Sequence, residues 1–162
     1  MGFRQYMYGM LGVLVLFNVA YADSKNPFED FVGTYKVEKQ ICYYFSTPTS
    51  CVESYKKIVI SKYSDEQVKA AFDNENIFLL DESITNEGDV TVESHIAAIT
   101  DSVTWTQTRT NKNDSSTVTS TSSFTMLKTP RDGSLSIKTS FTSEDVHYLE
   151  IYKIVLDSDA GY

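Results

Sequence analysis

The residues that could do chemistry are few and dispersed. His95 and His147 are the only histidines, and serine is so abundant that any Ser/His/Asp grouping carries no information. No Gly-x-Ser-x-Gly turn is present to hold a nucleophile. His95 is expected to be a strand residue with a satisfied ring nitrogen, not a general base. Adjacent carboxylates occur at Asp81-Glu82 and Glu144-Asp145. Neighbours on a strand point to opposite faces, so these pairs read as turn and surface acids. Asp157-Ser158-Asp159-Ala160-Gly161 has the spacing of the start of a calcium loop but lacks the distal Glu, and reads as a solvated tail. There is no glycine-rich phosphate loop. The expectation is a non-enzymatic protein with no cofactor and no metal.

Cys42 and Cys51 are the only cysteines. Their spacing is not C-x-x-C and no His lies near them, which disfavours a redox pair or a metal site. In an exported chain an even count reads as one disulfide. Export is expected from the first 22 residues. Arg4 is the one charge before an apolar run from Gly9 to Val19, broken only by Asn18, and Ala20-Tyr21-Ala22 supplies a small-x-small cleavage signature. About 11 apolar residues fall short of the roughly 20 that span a bilayer, so no integral membrane insertion is expected after cleavage. The expected location is secreted or periplasmic.

The whole chain carries a net charge of −8, and without Arg4 its 13 basic and 22 acidic residues give −9. Such an acidic surface repels phosphate backbones and anionic headgroups, so nucleic acid and membrane surfaces are disfavoured as partners. The acids are dispersed, which points to solubility more than to a cation site.

The elements that must position these residues read as strands. Residues 23–30 form a polar arm with Pro27. Phe31, Gly33, Tyr35 and Val37 share one parity, a half-buried strand in which Gly33 could mark a bulge or bend. Ser46 to Ser50 is a turn cluster, so the cysteines staple a hairpin or loop across Pro48. Val52 to Tyr63 follows, centred on Ile58-Val59-Ile60. Gln67 to Phe72 suits a one-turn helix or a strand, with strand preferred. Asn76 to Thr85 reads as one extended segment ending in the Asn86-Glu87-Gly88-Asp89 turn, and Asp89 to Thr100 as the next. Val103, Trp105, Gln107 and Arg109 alternate with Thr104, Thr106, Thr108 and Thr110. Thr117 to Lys128, a turn at Thr129 to Gly133, a strand with Leu135, Ile137 and Phe141 on one face, and Val146 to Leu156 complete the series. A tail at 157–162 ends it.

Eight or nine strands with short turns predict an all-β fold over 31–156: an antiparallel meander, most simply a closed up-and-down barrel, with a β-sandwich as the alternative. The opening Gly33-Thr34-Tyr35 of a secreted, disulfide-bearing β chain of this size resembles the first strand of lipocalin-like proteins, where a Gly-x-Trp closes the narrow end of the barrel. Tyr35 stands here in place of the Trp, no clear Thr-Asp-Tyr motif follows mid-chain, and the basic residues that could pack on the ring, Arg131 and Lys153, sit in no motif. The resemblance implies an eight-stranded barrel holding a small hydrophobic ligand. With 11 Tyr and 9 Phe, the candidate lining by parity is Tyr35, Tyr55, Trp105, Phe124, Phe141 and Tyr152. The alternative is a structural or protein-interaction module whose core is filled by these rings, its protein partner unknown. The threonine row Thr104 to Thr110 reads as the solvent face of one strand, where Thr pairs well across strands, in preference to a hydroxyl array for ice or polysaccharide.

Overall fold

β-branched and aromatic residues at alternating positions favour strands, and strands dominate. A computed structural model describes residues 25–113, 116–129 and 131–158. The expected signal segment and the last residues of the expected tail lie outside them. The strands are β1 (Gly33–Tyr44), β2 (Thr47–Thr49), β3 (Lys57–Lys62), β4 (Val68–Phe72), β5 (Asn76–Leu80), β6 (Ser83–Glu87), β7 (Val90–Ile99), β8 (Ser102–Asn113), β9 (Ser116–Lys128), β10 (Leu135–Thr142) and β11 (His147–Leu156). All belong to one antiparallel sheet ordered β5-β4-β3-β1-β11-β10-β9-β8-β7-β6, with β2 paired only to β1.

The first and last long strands pair in the middle of this order, whereas β5 and β6, separated only by Asp81-Glu82, form its two edges. The sheet therefore curls into an open half-barrel and not the closed barrel expected from the meander. The strand count is also higher than eight or nine, because the segment read as one strand over Asn76 to Thr85 is two, and because Thr47–Thr49 is a short strand instead of a turn.

Local chemistry accounts for the turns. The β1–β2 connection is Phe45-Ser46, both at positive φ (45° and 64°), a two-residue hairpin loop twisted to match its strands. The Cys42–Cys51 bond closes just behind it, with Cα atoms 5.3 Å apart. Asp73-Asn74 makes the equivalent left-handed turn between β4 and β5, using the two residue types that best tolerate it after glycine. The Asp73 carboxylate also accepts from the backbone N–H groups of Lys57 (2.8 Å) and Lys56 (3.0 Å).

The bulge in β1 is not at Gly33 but between Val37 and Lys39, where the register with β11 slips. A bulge reverses side-chain parity. Tyr35 and Val37 face inward before it, and Gln40 and Cys42 face inward after it. At Gly33 a Cβ would meet the Leu156 side chain at 3.0 Å, so glycine there makes room for a side chain, not for another backbone.

The arm is not merely a lead-in. Pro27–Phe31 winds into a 3₁₀ turn capped by Asn26, whose Oδ1 accepts from the N–H of Phe28 at 3.0 Å. The Asn26 Nδ2 donates to the carbonyls of Leu80 (2.7 Å) and Glu66 (3.0 Å). This places Phe28, fully buried, edge-on to Phe124 at 5.8 Å. The turn plugs the half-barrel, and Ile58, Ile60, Val68, Phe72, Leu80, Met126, Ile137 and Ile154 complete the core.

Candidate functional site

Inward-facing side chains on neighbouring strands fall in register, and the rows become more polar along the barrel. Tyr152, Ile137, Met126 and Val103 pair successively across β11, β10, β9 and β8. The next row is Glu150, Thr139, Phe124, Trp105 and Ile96, and the one beyond is Tyr148, Phe141, Ser122, Gln107 and Ser94. Tyr35, opposite Leu156 and Ile58, marks the apolar end. The Glu150 and Tyr148 rows mark the other.

Where apolar gives way to polar, a cavity of about 190 Å³ opens. Its apolar wall is Phe72, Phe78 and the rings of Tyr55 and Tyr152, and its polar wall is Glu150, Thr139 and Asn76. The rings brace one another: Phe72 lies 5.1 Å from Tyr152, 5.3 Å from Tyr55 and 5.8 Å from Phe78 between centroids.

Glu150 is the hub of the polar wall. Its Oε1 accepts from the Tyr148 hydroxyl (3.0 Å) and from Gln40 Nε2 (3.4 Å). Its Oε2 accepts from the Tyr152 hydroxyl and from Thr139 Oγ1 (3.5 Å). The sulfur of Cys42 lies 3.5 Å from Oε1, so the disulfide forms part of the surround. A second carboxylate, on exposed Glu53, accepts from the Tyr55 hydroxyl and from Asn76 Nδ2 (2.9 Å), and Asn76 Nδ2 donates to the Tyr55 oxygen as well. Gln40 ties the two halves together by donating to the Glu53 carbonyl (3.0 Å) and accepting from the Tyr55 N–H (3.2 Å).

Burial first, then the bond to Glu53, pushes the Tyr55 hydroxyl up to about 12. Tyr152 and Tyr148 are also raised, in each case by burial first and by the bond to Glu150 second. All three phenols are therefore neutral donors at physiological pH. The described ion pairs (for example Lys36–Asp157 and Lys153–Glu38) involve neither Glu53 nor Glu150.

Of the six candidates from parity, Tyr55 and Tyr152 line the cavity. Phe124 and Trp105 lie behind it in the core, Trp105 edge-on to Phe78 at 6.0 Å with its Nε1 lacking a hydrogen-bond partner. Tyr35 lies at the far end, where its hydroxyl donates to the Phe31 carbonyl at 2.7 Å. Phe141 is half-exposed, opposite Tyr148. Sequence reasoning missed Glu150, although it shares the parity of Tyr148, Tyr152 and Ile154, an inward acid that should have been visible. Gln40 was hidden by the bulge, and Asn76 and Glu53 by their positions at an edge and in a loop.

The other reactive types lie elsewhere. His95 is exposed on the outer face opposite Thr106, and exposed His147 stands edge-on to Phe45. Asp81 accepts from Gln67 Nε2 at 2.7 Å in the link between the sheet edges, and Glu144-Asp145 is an exposed turn. Arg131 is exposed and Lys153 pairs with Glu38 at 3.2 Å. The threonine row is not confined to one strand: Thr104, Thr106, Thr108 and Thr110 stand opposite Thr125, Ser123, Thr121 and Thr119. Thr104 and Thr125 hydroxyls meet at 3.1 Å, the cross-strand pairing expected of a β surface. A larger hollow of about 390 Å³ between the plug and the sheet edges is lined by Lys25, Asn26, Pro27, Glu66, Glu82 and Ile96, with no aromatic ring.

Comparison of the chain with protein-family models, curated proteins and solved structures returned no match.

Proposed function

We propose that this protein is an extracytoplasmic, non-enzymatic binding protein that holds one small ligand with an apolar body in the mouth of the half-barrel. The observation that carries this reading is the cavity of about 190 Å³ walled by Phe72, Phe78, Tyr55 and Tyr152 and rimmed by Glu150, Thr139 and Asn76. A concave, mostly aromatic site with a few convergent polar groups is the usual form of a small-molecule pocket. The lipocalin-like resemblance of Gly33-Thr34-Tyr35 points the same way. The disulfide accords with an oxidising compartment, and among the described residues no helix is long and apolar enough to cross a membrane. Secretion, or residence in a periplasm, is the finer reading, and it rests on the first 22 residues of the sequence.

The test uses Trp105, the single tryptophan, as a reporter beside Phe78. Titration with small neutral aromatics (indole, p-cresol, 2-phenylethanol) is expected to give a saturable change in its fluorescence. Asn76→Trp, which fills the cavity from its exposed edge, is expected to abolish binding of the same aromatics as measured by ligand-observed NMR. No saturable binding by any probe, together with no co-purifying ligand in native mass spectrometry, would sink the reading.

A second reading has its own observation. The deep interior is filled by Phe28, Phe72, Phe124, Trp105 and Met126, and the edges carry exposed Ile77, Leu79 and Ile84, as expected of a structural or interaction module with a solid core. Failure of the titration selects it.

A further inference from the structure

We propose that the ligand of this cavity is an organic cation, an ammonium or related group borne on an apolar or aromatic body. The inference rests on the pocket reading above and adds the charge and hydrogen-bonding sense of the ligand.

The hydroxyl donors of the polar wall are already committed. Tyr152, Tyr148 and Thr139 each spend their one O–H on the Glu150 carboxylate, and Tyr55 spends its own on Glu53. A hydroxyl that has donated retains only acceptor lone pairs. The polar wall therefore offers a ligand oxygen acceptors and no donor: the phenol oxygens of Tyr55 and Tyr152 and Thr139 Oγ1, beside the negative charge of the Glu150 carboxylate. The Asn76 amide, which could have donated, is turned onto Tyr55 and Glu53. A ligand carboxylate, phosphate or ketone would meet acceptors only, each desolvated without a partner. A primary ammonium brings three N–H donors and no acceptor, which suits the Tyr55, Tyr152 and Thr139 oxygens.

Charge and shape agree with this inventory. Glu150 is half-buried and takes part in none of the described ion pairs. A carboxylate set back from water attracts a counter-charge more strongly than one in bulk solvent. The opposite wall is built from the rings of Phe72, Phe78, Tyr55 and Tyr152, which cover an apolar body and whose π faces attract a cation. The cavity of about 190 Å³ is on the scale of a small amine with one ring.

The test compares three molecules of one shape on the full-length protein: 2-phenylethylammonium, 2-phenylethanol and phenylacetate. By calorimetric titration the amine is expected to bind at least about tenfold more tightly than the alcohol, and phenylacetate more weakly than either. Glu150→Gln, checked for folding by circular dichroism, is expected to reduce the amine-to-alcohol ratio to within about threefold. Should that variant fail to fold, Glu53→Gln on the exposed side and the salt dependence of the wild type decide: amine affinity falls with added salt, and alcohol affinity does not. If amine and alcohol bind equally and the alcohol fails to bind Asn76→Trp, the cation inference is overturned and the pocket stands; if Asn76→Trp still binds the alcohol, both fall. If none of the three binds, both fall.

Discussion

At the residue scale, the decisive feature is an acid on the inner face of a strand. Glu150 is held by Tyr148, Tyr152, Thr139 and Gln40, and their orientation sets the chemistry of the mouth. The tyrosines give this arrangement a pH dependence. A phenol raised in the folded state binds its proton more tightly there than in the unfolded chain. Its contribution to stability is thus complete below the unfolded value near 10 and is lost as pH climbs through the folded one. For Tyr55 the window runs from about 10 to about 12. Thermal melts between pH 9 and pH 12 should fall in midpoint across that range, and Tyr55→Phe, which has no proton to lose, should flatten the fall. An equal fall in both proteins would show that Tyr55 does not contribute. The inward parity of Glu150 between Tyr148 and Tyr152 was legible in the sequence, but its partners were not, because no periodicity tells which strand lies beside which.

At the element scale, the alternation of Val103 to Arg109 and of Leu135 to Phe141 marked strands that formed, that of Phe31 to Val37 did so only from Gly33 on, since Phe31 closes the 3₁₀ turn, and the ambiguous Gln67 to Phe72 became β4, with Val68, Ala70 and Phe72 all buried. Two local features were illegible. The bulge between Val37 and Lys39 inserts a residue into a run of mixed charge with nothing to flag it. The Phe45-Ser46 turn uses two residues outside the Asn-Gly preference of such loops, and the Cys42–Cys51 bond behind it helps to hold them there. Replacing both cysteines by Ala should lower stability by roughly 2.5–3 kcal/mol in the chain-entropy model, read as a lower urea midpoint. It should also weaken ligand binding, since the Cys42 sulfur abuts Glu150. An unchanged midpoint would mean that the hairpin is closed by its turn alone.

At the scale of the molecule, the all-β, antiparallel character of the chain was legible and its closure was not. Asn76 to Thr85 reads as one extended segment, and the pattern that identifies a strand is silent on whether its neighbour in sequence is also its neighbour in the sheet. The break falls at Asp81-Glu82, so β5 and β6 turn away from each other. The plug, with Asn26 holding the Leu80 carbonyl, secures one side of the gap. The gap also divides the molecule into halves that the peptide bond there does little to unite. Residues 25–80 and 83–158 meet through the long β1–β11 ladder and a shared core. A protein cut at this link, or expressed as two pieces, is expected to stay assembled or to reassemble spontaneously. Recovery of the native circular dichroism spectrum on mixing the two pieces would confirm this. The seam is a natural point for fragment complementation, with ligand affinity as the readout of rejoining, because Asn76 and Phe78 belong to one piece and Glu150 and Tyr152 to the other.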